Sequence, residues 1–366
     1  MQIDGNRPVE DGRPCTLRPT LRSRVTNVQD PSNVFPQAAW TAHESPEAVG
    51  WSQGGLASVR AYTETLDTAA VLIVQGGRIL DRWGAVEEKY AVHSIRKSLL
   101  NALYGIFVAE GAIGLGRTLA SLGIDDKEGL TDTEKKASVM HLLAARSGVY
   151  HPTGGESEWM RSLREPRGSH GPGTWWVYNN WDFNALGTIF EQETGRNLFE
   201  AFRDRVALPI GMEDWRYDAA EDDPAKRDGE RWTPRRSVHD MFAFRMTSLD
   251  LARFGLLYLR EGRWGEEQVV PRDWIRQSVL PISDAGLNGA YGYLWWVSRH
   301  GIHWPGVIVP EGTYSARGIG GHRLVVMPAL DLVLVHRVDT SVKGREVTST
   351  QFGRLLTLLL EAAPTT

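Results

Sequence analysis

A serine and a lysine stand three residues apart in Ser94-Ile95-Arg96-Lys97, the one Ser-x-x-Lys segment of the chain. The segment lies where strand-like sequence gives way to helical sequence, so the two side chains would share one face of a helix, one turn apart. A serine hydroxyl becomes a good nucleophile when a base takes its proton. A lysine is such a base when burial or a nearby cation lowers its pKa. A capping serine followed by a solvated lysine has the same spacing, so further residues must decide between the two interpretations.

A second segment, Tyr178-Asn179-Asn180, is the one Tyr-x-Asn of the sequence and directly precedes a predicted helix over 182–194. The phenol of Tyr178 could relay a proton between Lys97, Ser94 and a leaving group, and Asn180 could hold the lysine or a substrate carbonyl. The alternative is a capping loop in which Asn180 accepts hydrogen bonds from the first NH groups of the helix.

A third segment, Gly318-Ile319-Gly320-Gly321-His322, follows a predicted strand over 314–316. Glycines let a backbone approach a substrate closely, and an NH at a strand end can donate to an oxyanion. Ile319 is the first choice for that donor and Gly318 the second, whereas the alternative is a plain glycine turn in a sheet. Each segment alone could be accidental, but the three in this order, each on a suitable element, point to a serine hydrolase.

These segments resemble the serine β-lactamase-related family, which includes class C β-lactamases, DD-peptidases, esterases of the same fold and 6-aminohexanoate-dimer hydrolases. The resemblance covers about residues 71–360. It implies that Ser94 is the acylated nucleophile, Lys97 its general base, Tyr178 the general acid or base and Asn180 the matching amide. It also implies an oxyanion hole made by the NH of Ser94 and one NH of the third segment.

The third segment departs from the pattern of β-lactamases and DD-peptidases, which carry Lys-Thr-Gly or His-Thr-Gly there. This chain has Ala316-Arg317-Gly318 or Arg317-Gly318-Ile319 in its place. The sequence therefore favours hydrolysis of a small-molecule ester or amide, with β-lactamase or DD-peptidase activity as the alternative and a non-catalytic binding or sensor protein as a third. Arg317 either binds a substrate carboxylate or points into solvent.

Aromatic and imidazole side chains flank these segments. The pairs Trp175-Trp176 and Trp295-Trp296 could wall a substrate pocket, with one member of each pair facing the core and Trp176 the candidate for the site. His93 and His322 either contact substrate or are hydrogen-bonded structural histidines.

Hydrophobic periodicity predicts strands towards both ends of the chain, around a mostly helical middle. The predicted fold class is α/β (α+β), β-lactamase/DD-peptidase-like: an antiparallel sheet flanked by helices plus a mostly helical second domain, with the active site in the cleft between them. The predicted divisions are an extension over 1–44, a discontinuous sheet domain over 45–97 and 249–366, and a helical domain over 98–248. Strands are predicted at 69–74, 78–80, 291–297, 323–327 and 332–338, and helices at 48–66, 94–111, 182–194, 248–260 and 345–362.

Composition narrows the possible partners. The formal net charge of −4 comes with dispersed lysines and arginines, so nucleic acid is not an expected partner. Cys15 is the only cysteine and no His-Glu-x-x-His occurs, so neither a metal nor a cofactor is expected. No apolar run is long enough for a membrane span, and the first residues lack a signal pattern. A cytoplasmic location is therefore favoured, a periplasmic or secreted one follows if a leader was removed, and the oligomeric state stays open.

Overall fold

The computed structural model describes residues 34–221 and 223–364. Its centre is an eight-stranded antiparallel sheet with the strand order β2-β1-β15-β14-β13-β10-β9-β8. In chain order the strands are β1 Thr68–Gln75, β2 Arg78–Gly84, β3 Tyr90–Ala91, β4 Gly229–Trp232, β5 Met241–Met246, β6 Arg263–Trp264, β7 Glu267–Gln268, β8 Ser283–Asp284, β9 Ala290–Tyr291, β10 Trp296–Val297, β11 Ile302–Trp304, β12 Val307–Ile308, β13 Tyr314–Gly318, β14 His322–Met327 and β15 Leu332–Val338.

Helices cover the sheet on both faces. The helices are α1 Gln53–Thr63, α2 Arg96–Ala109, α3 Leu119–Leu122, α4 Val139–Leu143, α5 Glu158–Ser162, α6 Asn180–Thr194, α7 Leu198–Phe202, α8 Ser248–Leu259, α9 Arg272–Ser278 and α10 Ser349–Ala362. None of the helices in the described ranges is long and apolar enough to cross a membrane. The predicted fold class, an antiparallel sheet flanked by helices with further helices beside it, is confirmed.

Strand β1 explains why the sheet needs helices on both sides. Its side chains alternate between two apolar cores: Val71 and Ile73 pack in the core that includes α1 and α10, and Leu72 and Val74 pack in the larger core that includes α2 and α8. This is the period of two that an extended strand imposes. β1 also pairs with β15, with Leu72 opposite Val335, so the early and late parts of the chain form one sheet.

The helix predicted at 94–111 is observed as α2, preceded by a single 3₁₀ turn, His93–Ile95. The NH of Ile95 donates to the carbonyl of Val92, which closes this turn just before α2 begins. Most side chains of α2 are buried, including polar Lys97 and Asn101. Ser94 therefore stands at the entrance to a helix that crosses the interior of the protein.

The prediction of one strand over 291–297 is wrong. Residues 290–297 form the short hairpin β9–β10, with Tyr291 opposite Trp296 and Leu294 in the turn at a positive φ of 60°. Buried side chains of α2 hold this turn: Ser98 Oγ donates to the carbonyl of Leu294, and Asn101 Nδ2 donates to that of Tyr293. These tertiary hydrogen bonds outweigh the strand propensity of the aromatic run.

The mostly helical middle contains strands that the sequence did not indicate. β4 and β5 pair with each other, and β5 pairs with β3, so that Tyr90 lies opposite Met246. This small sheet fixes the chain directly before Ser94. Residues 1–33, including Cys15, lie outside the described residues. The described end of the predicted extension runs alongside β2, where the NH of Ile79 donates to the carbonyl of Thr41.

We expect the packing of α10 to be sensitive to one methyl group. A Cβ on Gly353 would lie 2.2 Å from the carbonyl oxygen of Pro305, whereas a Cβ on Gly54 in α1 would meet nothing within 4 Å. Gly353→Ala should therefore lower the free energy of unfolding by about 1–3 kcal/mol. Gly54→Ala, the control, should leave it unchanged or raise it by up to about 1 kcal/mol. Urea unfolding of both variants checks this, and equal stabilities would contradict the close approach.

Candidate active site

The structure brings Ser94, Lys97 and Tyr178 together. Lys97 Nζ donates a hydrogen bond to Ser94 Oγ at 3.1 Å and lies 2.5 Å from Tyr178 Oη. Lys97 and Tyr178 are only 1% and 5% exposed, whereas Ser94 is partly open to solvent. The amine thus lies between the two hydroxyl groups, and the serine is the member that an incoming molecule can reach.

Burial sets the protonation of this cluster. Burial lowers the pKa of Lys97 well below its usual value, and the positive charge of Arg96 lowers it further. Burial also raises the pKa of Tyr178 to about 12, against the opposite effects of a hydrogen bond with Ser94 and the charges of Arg96 and Arg317. The uncharged amine is therefore favoured at a lower pH than for a lysine in water, and the phenol beside it stays protonated near neutral pH. An uncharged amine has the lone pair that a general base needs.

Arg96, the residue before Lys97, points into the interior on another side of α2. Its Nη2 donates to Asn184 Oδ1 on α6 at 2.8 Å, and its guanidinium lies 4.1 Å from the ring centroid of Phe242. The side chain is 1% exposed. The charge that lowers the pKa of Lys97 is therefore held in place by α6 and the ring, not by solvent.

Asn179 and Asn180 make different hydrogen bonds at the start of α6. The helix cap is Asn179, whose Oδ1 accepts from the NH groups of Trp181 and Asp182. Asn180 Nδ2 donates instead to the carbonyls of Gly154 and Gly155, at 3.2 and 2.7 Å. The helix cap is thus one residue earlier than the capping interpretation of Asn180 placed it, and the amide nitrogen of Asn180 holds the loop before α5. The predicted role of Asn180 in holding Lys97 or a substrate carbonyl stays a prediction.

The third segment passes beside the chain that carries Ser94. β13 ends at Gly318, and the turn Ile319–Gly321 leads into β14. A Cβ on Gly318 would lie 2.7 Å from the carbonyl oxygen of Val92 and 3.3 Å from His93 Cβ, so only glycine allows this approach. The side chain of Ile319 is 56% exposed. The choice between the NH groups of Ile319 and Gly318 as oxyanion donor stays a prediction.

His93 and His322 lie behind the nucleophile as hydrogen-bonded histidines. Arg337 Nε donates to His322 Nδ1 at 3.0 Å, so neutral His322 carries its proton on Nε2 and faces Thr340 Oγ1 at 3.3 Å. His93 Nε2 lies 2.8 Å from the same hydroxyl. Burial, followed by the charge of Arg337, lowers the pKa of both rings, that of His93 to about 4.

Thr340 therefore links two parts of the site that the sequence does not connect. His93 directly precedes Ser94 and has a positive φ of 48°, a conformation that a non-glycine residue keeps only when its surroundings hold it. His322 follows the turn Ile319–Gly321. No signal in the sequence indicates this role of Thr340, because the contact spans 247 residues.

Arg317 is partly buried, and its guanidinium is hydrogen-bonded within the protein. Its Nη1 donates to Asn288 Oδ1 at 2.9 Å and its Nη2 to the carbonyl of His303 at 2.8 Å. The guanidinium lies 4.9 Å from the ring centroid of Trp296 and 4.3 Å from that of Trp304. Through these contacts Arg317 connects β13 with the loop before β9 and with strand β11.

Aromatic rings surround Tyr178. Its ring centroid lies 5.2 Å from that of Trp296, and Trp176 packs on the far side of Trp296 at 6.0 Å. Trp295 and Trp296 are both buried, at 0% and 6% exposure, so the expected division of that pair into a core member and a cleft member stays a prediction. Trp159, which the sequence did not single out, lies 5.9 Å from the Tyr178 ring and is 47% exposed. A lone tryptophan in an aperiodic segment has no pattern that could have revealed this contact.

Metal-binding clusters do not occur in the described ranges, where no three His, Cys, Asp or Glu side chains are placed to hold an ion. The site thus consists of a serine at a helix entrance, a buried amine, a phenol and an adjoining strand end. Together with the antiparallel sheet, these features define the β-lactamase/DD-peptidase-like class of fold.

Comparison with known proteins agrees with that class. The model of the Beta-lactamase family matches residues 26–351. The chain therefore belongs to the Beta-lactamase family, as its motifs indicated, and members of this family are serine hydrolases. An uncharacterized protein of Alkalihalophilus pseudofirmus is 23% identical over 313 residues, which is 77% of this chain and 88% of that protein.

Solved structures show the same fold at low sequence identity. A protein from Bacillus anthracis assigned as a 6-aminohexanoate-dimer hydrolase superposes with a TM-score of 0.63 at 18% identity, over 91% of this chain and 88% of that one. A β-lactamase from Mycobacterium bovis gives 0.57 at 18% identity, over 84% and 99%. An octameric penicillin-binding protein homologue from Pyrococcus abyssi gives 0.61 at 17% identity, over 85% and 78%.

The lowered pKa of Lys97 predicts a pH-dependent stability. At a pH between the pKa of Lys97 in the folded protein and its pKa in the unfolded chain, the unfolded chain binds one more proton than the folded protein. The free energy of unfolding of the wild type therefore rises as the pH rises towards about 10.4. In Lys97→Met the side chain at this position binds no proton in either state. The variant's free energy of unfolding relative to the wild type should therefore fall as the pH rises through the units directly below about 10.4, by at most about 1.4 kcal/mol per pH unit.

Denaturant unfolding of both proteins across that range is the measurement. Lys136→Met, at an exposed position, controls for the loss of one positive charge. If the difference in free energy of unfolding between Lys97→Met and the wild type does not change with pH, the amine is charged in the folded protein.

Proposed function

We propose that the protein hydrolyses an ester or amide bond of a small molecule through an acyl-enzyme formed on Ser94. The observation that carries this proposal is the position of Lys97 Nζ between Ser94 Oγ and Tyr178 Oη. Burial that lowers the pKa of the amine supplies a base where the nucleophile needs one.

In the acylation step, Lys97 takes the proton of Ser94 while Oγ attacks the substrate carbonyl. The NH of Ser94 and the NH of Ile319, or of Gly318, stabilise the oxyanion of the tetrahedral intermediate. The carbon–oxygen or carbon–nitrogen bond then breaks, and Tyr178 delivers a proton to the leaving group, which Lys97 restores. Deacylation repeats these transfers with water in place of the serine.

The surroundings of β13 favour an ester or amide over a β-lactam. The Lys-Thr-Gly or His-Thr-Gly cation is missing from the third segment, and the guanidinium of Arg317 is hydrogen-bonded to Asn288 and His303. A carboxylate would have to displace these partners to form a bidentate pair. β-Lactamase or DD-peptidase activity is accordingly the second candidate, supported by the family match.

The intact mass after exposure to a fluorophosphonate tests the nucleophile. We expect one adduct on the wild type and on Ser58→Ala, an exposed serine of α1, and none on Ser94→Ala. Turnover of p-nitrophenyl acetate should fall at least about 1,000-fold in Ser94→Ala, because no other group at the site is placed to form the acyl-enzyme.

The same assay chooses between the candidate activities. Faster turnover of a penicillin than of a linear ester or amide would replace the proposal by the β-lactamase alternative. An absence of both adduct and turnover with the wild type would leave a binding protein that shares the fold.

Thr340 offers a test of how the nucleophile is positioned. Thr340→Val removes the hydroxyl that faces both His93 and His322, so His93 is freed to relax from its positive φ and shift Ser94. We expect the rate constant of fluorophosphonate labelling to fall about 10-fold or more, with Thr340→Ser near the wild type. Thr188→Val, which removes another threonine–histidine hydrogen bond, to His239, is the control. Equal labelling rates for Thr340→Val and Thr188→Val would contradict this role.

A further inference from the structure

The ring of Tyr178 is packed by aromatic side chains, and these differ in exposure. Phe183, Tyr291 and Trp296 lie 5.1, 5.7 and 5.2 Å from its centroid and are buried. Trp159 makes the fourth ring contact, but 47% of this residue is exposed. The indole thus connects the buried cluster around the phenol to the solvent.

The segment that carries Trp159 is held by the helix that follows Tyr178. Asn180 donates to the carbonyls of Gly154 and Gly155, and Asn184 donates to Thr153 Oγ1 at 3.1 Å. Ser157 caps α5 by accepting from the NH of Met160. The exposed indole is therefore placed by a hydrogen-bonded loop and is not a loose surface side chain.

A second partly exposed tryptophan belongs to the same cluster of rings. Trp176 is partly exposed, and its ring lies 5.8 Å from Tyr291 and 6.0 Å from Trp296, both of which contact the Tyr178 ring. We call three rings the aromatic wall: Trp159 and Trp176, which are exposed in part, and the buried Trp296, which contacts both Trp176 and Tyr178. Aromatic side chains of this kind present large apolar faces that bind other rings in stacked or edge-to-face arrangements.

Two rings of the aromatic wall, Trp159 and Trp296, contact the ring of Tyr178, whose hydroxyl takes part in the proposed proton transfers. Tyr178 Oη is 2.5 Å from Lys97 Nζ, which in turn is hydrogen-bonded to Ser94 Oγ. A group bound against the wall is consequently attached close to the scissile bond, on the acyl or the leaving-group side. A saturated chain can fill such a surface, but a planar ring adds the ring–ring contact.

We propose that the aromatic wall binds a planar aromatic ring next to the scissile bond, so that the substrates are aryl-containing esters or amides. This inference rests on the proposed function. Trp159 is the residue that determines this preference, since its exposed indole is free to contact a bound ring. The chemical step itself is unchanged: the acyl group passes to Ser94 Oγ and then to water.

Two pairs of esters test the proposal on both sides of the bond. Benzyl acetate against butyl acetate varies the leaving group, and methyl phenylacetate against methyl butyrate varies the acyl group. Acid release gives kcat and KM for each ester. In at least one pair, Trp159→Ala should lower kcat/KM for the aromatic ester about 10-fold more than for the aliphatic one, mainly through KM.

Two further variants separate this role from general damage. Trp159→Phe keeps a ring and should recover most of the preference. Trp264→Ala removes a partly buried tryptophan that packs on Phe35 and should leave the preference unchanged. Wild-type labelling of Ser94 by the fluorophosphonate in Trp159→Ala would show that the site is intact.

The outcomes distinguish the two proposals. Suppose that the wild type is labelled and hydrolyses the esters, and that Trp159→Ala loses the same factor of kcat/KM for aromatic and aliphatic esters. That result would overturn the aromatic-wall proposal alone. The same holds if the wild type prefers the aliphatic ester in both pairs. No labelling and no turnover of any ester would instead overturn the proposed function on which it rests.

Discussion

An amine removed from water is the constraint on which the site depends. Lys97 is almost fully buried on α2, and its polar neighbours are two hydroxyl groups rather than a carboxylate. A carboxylate partner would raise its pKa and keep it charged, whereas burial and Arg96 act in the opposite direction. The fold must therefore supply enough packing to bury an unpaired basic group. The two apolar cores on either side of the central sheet provide it.

The sheet also determines which distant residues meet at Ser94. Because β15 pairs with both β1 and β14, the residues after β15 come to lie behind the serine and beside the turn that leads into β14. Thr340 uses this position to face His93 and His322 together. Arg337, at the end of β15, adds hydrogen bonds to the carbonyls of Tyr90 and Met246. A strained residue before the nucleophile is thus held from several elements at once, which is how such conformations persist.

Membership of the Beta-lactamase family does not decide what is hydrolysed, because the same fold carries several activities. The proposed selectivity rests on the side chains around Ser94, Lys97 and Tyr178. In this chain Arg317 is committed to Asn288 and His303, and the neighbourhood of the phenol is aromatic. Those two features, rather than the fold, are the basis of the proposal that the substrate is an ester or amide with a ring near the scissile bond.

Short motifs around Ser94, Tyr178 and Gly318 indicated the family by resemblance, and hydrophobic periods along single elements indicated the fold class. That Lys97 and Tyr178 meet was implied by the resemblance, since 81 residues separate them. The same local reasoning placed α2, α6, β1 and β15 close to their observed bounds. It failed at residues 291–297, where hydrogen bonds from Ser98 and Asn101 bend an aromatic run into a hairpin. It also could not assign Asn180 to the loop before α5, or find Thr340 and Trp159. These points required the folded structure, because the partners lie far apart in the chain and no local pattern encodes a contact between them.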